Sequence, residues 1–151
     1  VVIGFGGIAG HTFIGLHKAE NSYFHRAMST QDYSAVTAAC LMTKKALFDE
    51  VGGFTEKLAV AFNDIDYCMK VRASNHLVVY NPYALLYHYE SKSRGLEDTP
   101  EKEIKIFSER WPEILKDGDP YYNPNLTLRK SNFALRDLKK EKIGEPYHLE
   151  V

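Results

Sequence analysis

Asp64 and Asp66 stand two residues apart in Phe62-Asn63-Asp64-Ile65-Asp66-Tyr67-Cys68-Met69, and Tyr87-His88-Tyr89-Glu90-Ser91 follows further along the chain. A carboxylate pair with a downstream imidazole can take a proton from a hydroxyl or hold a divalent cation. Asn63 or Asp64 can cap a helix in which Ile65, Cys68, Met69 and Arg72 follow helical spacing. At a helix start the unpaired amides and the macrodipole favour a negative charge, the state a general base needs, so Asp64 is the candidate base. Residues two apart on a helix point to widely different faces. If Asp64 faces a cleft, Asp66 therefore caps backbone amides or pairs with a nearby cation. Taken alone, Asn63-Asp64-Ile65-Asp66 is more often just a well-capped helix start.

Strand alternation along 83–90 sets Ala84, Leu86, His88 and Glu90 on one face and Tyr83, Leu85, Tyr87 and Tyr89 on the other. His88 thus leaves an apolar face at a strand end. An imidazole there can ligate a divalent metal or be a hydrogen-bonded core histidine, the commoner fate of an isolated His. Ser91-Lys92-Ser93-Arg94-Gly95 gathers hydroxyls, cations and a glycine in one loop. That composition suits phosphate oxygens and equally suits a solvated turn. Gly4, Gly6 and Gly10 miss the dinucleotide fingerprint spacing, and no amphipathic helix follows at once. His11, His17 and His25 lack helical pairing or a cysteine partner, so they read as scattered surface residues rather than a zinc site.

The elements that must position these groups follow from local signals. Residues 1–10 read as a short strand entering a glycine turn, and 11–33 as a polar connection that covers something. The run 35–42 has the composition of a buried strand. Thr43 can cap a helix over 44–51, which Gly52-Gly53 stops. Asn75 can end the helix that Asp64 begins, and a strand follows over 77–80. Asn81-Pro82 is a turn before a strand over 83–89. Thr99-Pro100-Glu101 opens a helix with Ile104, Phe107 and Trp111 on one face, limited by Pro112. From Asp119 onward the chain lacks periodicity and reads as extended surface chain.

The chain has 151 residues, enough for one domain with a real core but short for a complete two-site enzyme. With 19 Lys and Arg against 20 Asp and Glu, its charge favours neither nucleic acid nor an anionic membrane as partner. Cys40 and Cys68 sit in apolar runs without CxxC spacing, which predicts buried, reduced thiols in an intracellular compartment and no disulfide. No stretch approaches the length of a membrane span. The chain starts at Val1 in a strand-like run, as an excised piece of a longer protein does.

Several of these segments, in order, resemble the C-terminal half of a family 2 glycosyltransferase of the GT-A fold, particularly bacterial rhamnosyl- or galactofuranosyl-type enzymes of cell-surface glycan synthesis. The series runs from Gly6-Gly7-Ile8-Ala9-Gly10-His11 through Ser34–Leu41, Val51-Gly52-Gly53-Phe54, Phe62–Cys68, Pro82-Tyr83-Ala84 and His88–Gly95 to Asp119–Asn125. An ordered series is more specific than any one member. The resemblance covers residues 1–127 and leaves 128–151 as a charged C-terminal extension. It implies an α/β fold, a mixed sheet flanked by helices. It also implies a hexosyl transfer with inversion from a nucleotide-sugar donor to a glycan acceptor.

In that reading Asp64 deprotonates the acceptor hydroxyl, Asn63 stands where many relatives carry an acidic residue, and Asp66 supports the helix start. His88 becomes a ligand to a divalent metal, Mn or Mg, while Lys92, Ser93 and Arg94 lie near the donor diphosphate. The Val51–Phe54 turn and the Cys40 strand shape the acceptor side. The family's metal-binding Asp-x-Asp ends a strand of an N-terminal half that is missing here. Asp64-Ile65-Asp66 begins a helix instead, so it is not that motif. The fragment alone is then expected to be inactive, with weak or no metal affinity, in a cytoplasmic enzyme that reaches a membrane only through other parts of the parent. The alternatives are a non-catalytic glycan-binding or assembly module, and a metal-dependent hydrolase using Asp64, Asp66 and His88.

Overall fold

Val2 and Ile3 point to opposite faces of a two-residue strand, and each enters a different hydrophobic cluster. The computed structural model describes residues 1–17, 20–89 and 100–141. This first strand, β1 (Val2–Ile3), pairs antiparallel with β2 (Ala9–Gly10) across a tight turn at Phe5–Gly7. A second antiparallel pair joins β3 (Gln31–Asp32) to β4 (Val79–Tyr80). The helices are α1 (Lys45–Glu50), α2 (Asn63–Ala73), α3 (Glu101–Arg110) and α4 (Pro112–Asp117). Where a mixed sheet was expected, the described residues hold these two separate antiparallel pairs and an isolated bridge between Leu126 and Leu135.

Ile3 packs with Ile65, Cys68 and Met69 of α2, and with Phe107 of α3. Val2 packs with Phe5, Tyr33, Tyr122, Leu128 and Phe133. Asp119 joins the two clusters from beneath β1. Its Oδ2 accepts the Ile3 amide at 2.8 Å, and its Oδ1 accepts the Ser34 hydroxyl at 2.6 Å and the Tyr121 amide at 2.9 Å. A buried carboxylate with three donors has its polar demand met inside the fold.

The stretch after Asp119 is therefore not extended surface chain. Tyr122, Leu126, Leu128 and Phe133 are buried, and the Glu141 carboxylate accepts the Thr127 hydroxyl at 2.6 Å and the Leu128 amide at 2.5 Å. Local turns, not a regular element, bring these apolar residues inward, so no periodicity announces them.

Two expected strands also fail to form. Along 35–42, the Ala39 amide donates locally to the Thr37 hydroxyl at 3.3 Å and the Ala38 amide to the distant Asp64 Oδ2 at 2.9 Å, which takes two ladder donors and leaves a 3₁₀ turn at Ala38–Cys40. Cys40 is consequently exposed, against expectation, whereas Cys68 is buried; both are free thiols. Along 83–89 the Asn81-Pro82 turn forms, but no regular strand follows among the described residues, and Tyr83, Leu85, Leu86 and Tyr87 are exposed. A strand needs a ladder partner and a buried face, and this segment lacks the second.

The helix stops are as the sequence predicts. Asn75 takes a left-handed conformation, φ 61°, just beyond α2. After α1 the Gly53 amide donates to Phe48 O at 2.8 Å and the Gly52 amide to Asp49 O at 3.1 Å, the paired bonds of a left-handed C-terminal cap. The expected cap at the start of α1 differs: Lys44 holds that position, and the Thr43 hydroxyl pairs with the Tyr67 hydroxyl at 2.7 Å. No helix among the described residues is long and apolar enough to cross a membrane.

Candidate functional site

Asp64 enters the site through the first turn of α2. Its backbone amide donates to Asn63 Oδ1 at 2.7 Å, and its own Oδ1 accepts the Ile65 amide at 2.8 Å. Asn63 and Asp64 thus satisfy first-turn donors as expected, although Phe62, with φ 60°, occupies the cap position itself. Asp64 Oδ2 accepts the Ala38 amide from the 3₁₀ turn. Each carboxylate oxygen is oriented by one backbone donor and keeps capacity for another, which suits a group that must meet a ligand hydroxyl in a fixed geometry.

Asp64 is half-buried and lines a cleft of about 240 Å³ between Ala9–His11 at the end of β2 and the segment Val60–Ile65. The polar side chains on its wall are His11, Asn63 and Asp64. A carboxylate, an amide and an imidazole around a small open cleft can together accept from and donate to a polyhydroxylated ligand.

Asp66 goes the other way. Its side chain is 0% exposed, and Oδ1 accepts Arg110 Nε at 2.7 Å and Trp111 Nε1 at 2.9 Å, while Oδ2 accepts the Thr55 hydroxyl at 2.6 Å. Lys70 Nζ lies 3.6 Å from Oδ2. Burial alone pushes the Asp66 carboxyl up; the bonds from Thr55, Trp111 and Arg110, with the Arg110 charge, outweigh it and hold the group below the usual carboxylate range. Of the two fates the sequence leaves open for Asp66, capping backbone amides or pairing with a cation, the structure shows the second, and these bonds tie α2 to α3.

His88 lies in the exposed segment after Pro82. Among the described residues no three His, Cys, Asp or Glu side chains converge, and Asp64 and Asp66 point away from each other, so the hydrolase alternative finds no shared ligand set in them. Lys92, Ser93 and Arg94 lie outside the described residues. The Val51–Phe54 turn does not line the cleft; Phe54 packs on Phe48 and Tyr67. His11, read from the sequence as scattered, does line it, and its one signal was its place next to the glycines of the first ordered motif. Glu103, which grips the cleft wall from α3, carried no signal at all.

No protein-family model and no solved structure matches the chain. The chain is 51% identical over 143 residues to the uncharacterized protein y4gI of Sinorhizobium fredii (strain NBRC 101917 / NGR234), covering 89% of this chain and 16% of that protein. It is 34% identical over 138 residues to the O-antigen biosynthesis protein RfbC of Myxococcus xanthus, covering 90% of this chain and 11% of that protein. The chain thus spans well under a fifth of the length of the curated relatives it matches.

Proposed function

We propose that this chain is the acceptor-side, base-bearing part of an inverting glycosyltransferase of GT-A architecture that acts in cell-surface glycan synthesis. The observation that carries the reading is Asp64 at the cleft wall, each carboxylate oxygen held by one backbone amide and each with a free lone-pair direction. The identity to an O-antigen biosynthesis protein along most of the chain supports the glycan context. The ordered series of motifs that resembles family 2 glycosyltransferases supports the reaction class.

In this mechanism Asp64 takes the proton of an acceptor hydroxyl as its oxygen attacks the anomeric carbon of a nucleotide-activated sugar. The bond from that carbon to the diphosphate breaks on the opposite face, so configuration inverts. His11 and Asn63 hold neighbouring hydroxyls of the acceptor. The donor is bound by a further part of the polypeptide, and the exposed apolar run Tyr83, Leu85, Leu86 and Tyr87 offers a surface for it to cover.

The test joins this chain to a nucleotide-sugar-binding half and measures release of nucleoside diphosphate from UDP- and dTDP-sugars with a glycan acceptor. General-base catalysis contributes about 10²- to 10⁴-fold, so Asp64→Asn is expected to lower turnover by about a hundredfold or more. Equal rates for wild type and variant overturn the base assignment. Glycan binding without transfer by wild type points instead to a binding or assembly module.

A further inference from the structure

One face of α3 holds the whole segment that carries Asp64. Glu103, Phe107, Arg110 and Trp111 follow the i, i+4, i+7, i+8 spacing of a single helix stripe. Glu103 is only 6% exposed, and its carboxylate accepts the Ala61 amide at 2.7 Å and the Val60 amide at 3.2 Å. One turn on, the Phe107 ring lies 5.3 Å from the Phe62 ring. Two turns on, Arg110 and Trp111 bind Asp66. The residues gripped, Val60, Ala61, Phe62 and Asp66, flank Asp64 on both sides, and the first three line the cleft beside it.

Phe62 makes this grip consequential. Its φ of 60° lies in the left-handed region, which a bulky side chain occupies only when its surroundings enforce it. Glu103 fixes the 59–60 and 60–61 peptide planes, one residue short of Phe62, and Phe107 packs against its ring. Because N–H and C=O point oppositely across a trans peptide, the Glu103 bonds also turn the Ala59 and Val60 carbonyls away from α3. α2 then starts directly after the strained residue, in the orientation that aims Asp64 at the Ala38 amide and the cleft.

We propose that Glu103 is a positioning residue for Asp64: its buried carboxylate sets the path of residues 60–62 and thereby the presentation of the base to the acceptor hydroxyl. This inference rests on the base assignment of Asp64. A carboxylate accepts from both amides, whereas the amide of a Gln has a single acceptor oxygen and turns a donor toward the other N–H. Glu103→Gln is therefore an intermediate case between wild type and Glu103→Ala.

Residue-resolved amide exchange on the 151-residue chain reads the geometry without any substrate, using Ala38 as the reporter of where Asp64 sits. Glu103→Gln is expected to lower protection at Val60 and Ala61 by about tenfold, the effect of one bond to a charged group, and to lower it at Ala38 in the same experiment. Leu128→Ala, in the other hydrophobic cluster, controls for general destabilisation: it is expected to lower protection at Ala38 no more than at the buried Met69 amide of α2, whereas Glu103→Gln lowers Ala38 more than Met69. Loss at Val60 and Ala61 with wild-type protection at Ala38 overturns the proposal, since Glu103 is then only structural. In the polypeptide joined to its donor half, Glu103→Gln is expected to lower turnover at saturating acceptor and leave the donor KM unchanged; wild-type turnover, or a rise in the donor KM, overturns it as well. Asp64→Asn in the same assay separates the two readings, because wild-type turnover by that variant defeats the base assignment while the Ala38 readout still judges Glu103.

Discussion

Arg110 Nε donates to Asp66 Oδ1 at 2.7 Å from across the core, so the two carboxylates of the Asp64-Ile65-Asp66 tripeptide have opposite lives. Asp66 is closed off, neutralised and bound on three sides; Asp64 stays half-open on the cleft wall. The helix geometry that separates residues two apart is what allows one motif to supply both an anchor and a carboxylate that faces the cleft. The anchor is not incidental. A helix whose first turn is pinned through Asp66 holds Asp64 in place with little freedom to lose when a ligand binds.

Asp66 gives the fold an acid limit. Its folded-state pKa lies below its ordinary value, so its contribution to stability is fully present above about pH 4 and is lost as pH falls through the lowered folded value. Urea midpoints measured from pH 7 down to pH 3 are expected to be level at first and to fall below about pH 4. In Asp66→Asn the protein is less stable at neutral pH, and this share of the acid decline disappears. An unchanged acid decline in that variant assigns it to other carboxylates.

His11 stands on the cleft wall beside Asn63 and Asp64 without a part in holding the fold's interior. His11→Ala is therefore expected to leave the thermal midpoint within about 2 °C of wild type, the scale of a surface change. In the donor-joined polypeptide it is expected to raise the acceptor KM about tenfold, the loss of roughly one hydrogen bond to the ligand, with turnover at saturation little altered. A fall in turnover with unchanged KM would instead give His11 a part in the chemical step.

The helices were legible because their signals are local. Asn63 and Asp64 mark the start of α2 and Asn75 its end; Pro100 precedes α3, and Phe107 sits on its buried face. The partners of Asp66 were not legible, since Arg110 and Trp111 lie 44 and 45 residues away and nothing in a tetrapeptide names them. The run 35–42 misled for a definite reason: its small and β-branched residues suit a strand, but Thr37 and Asp64 take the amides that a ladder needs. Residues 119–141 misled in the opposite sense. There the packing of Tyr122, Leu126, Leu128 and Phe133 is built by turns whose spacing matches neither a helix nor a strand. Of the site, Asp64 and Asn63 could be read from their place at a helix start, while His11 and Glu103 reach the cleft only through tertiary contacts.

Gly52 and Gly53 both end α1 with positive φ, 79° and 59°, yet they are not equivalent. A Cβ on Gly52 meets nothing within 4 Å, so Gly52→Ala carries only the backbone strain, about 1 kcal/mol. A Cβ on Gly53 comes within 2.8 Å of the Phe48 ring, which is itself wedged against Phe54 and Tyr67. Displacing that ring adds an overpacking cost of about 1–3 kcal/mol to the strain. Urea denaturation of the two variants is expected to rank Gly53→Ala as clearly less stable than Gly52→Ala, and equal losses would show that the Phe48 ring moves aside freely.

The two thiols report on opposite sides of the Asp64 neighbourhood. Cys40 is exposed in the turn whose Ala38 amide meets Asp64, and Cys68 is buried one helical turn past Asp64, donating to Val36 O at 3.7 Å. Burial pushes the Cys68 thiol up to about 11, so almost none of it is thiolate at pH 8 and reagent cannot reach it while α2 stays packed. Iodoacetamide at pH 8 is therefore expected to modify one thiol per chain rapidly, with Cys40→Ser abolishing that fast phase. The second modification, at Cys68, should follow the opening of α2 from the core and accelerate as urea is added. Destabilising the Asp66 anchor is then expected to speed the Cys68 phase and leave the Cys40 phase alone, because Asp66 holds α2 to α3 and makes no bond to the Ala38–Cys40 turn. Two fast thiols in the wild-type chain would mean that α2 opens readily, and a base carried on such a helix could not be held in a fixed geometry.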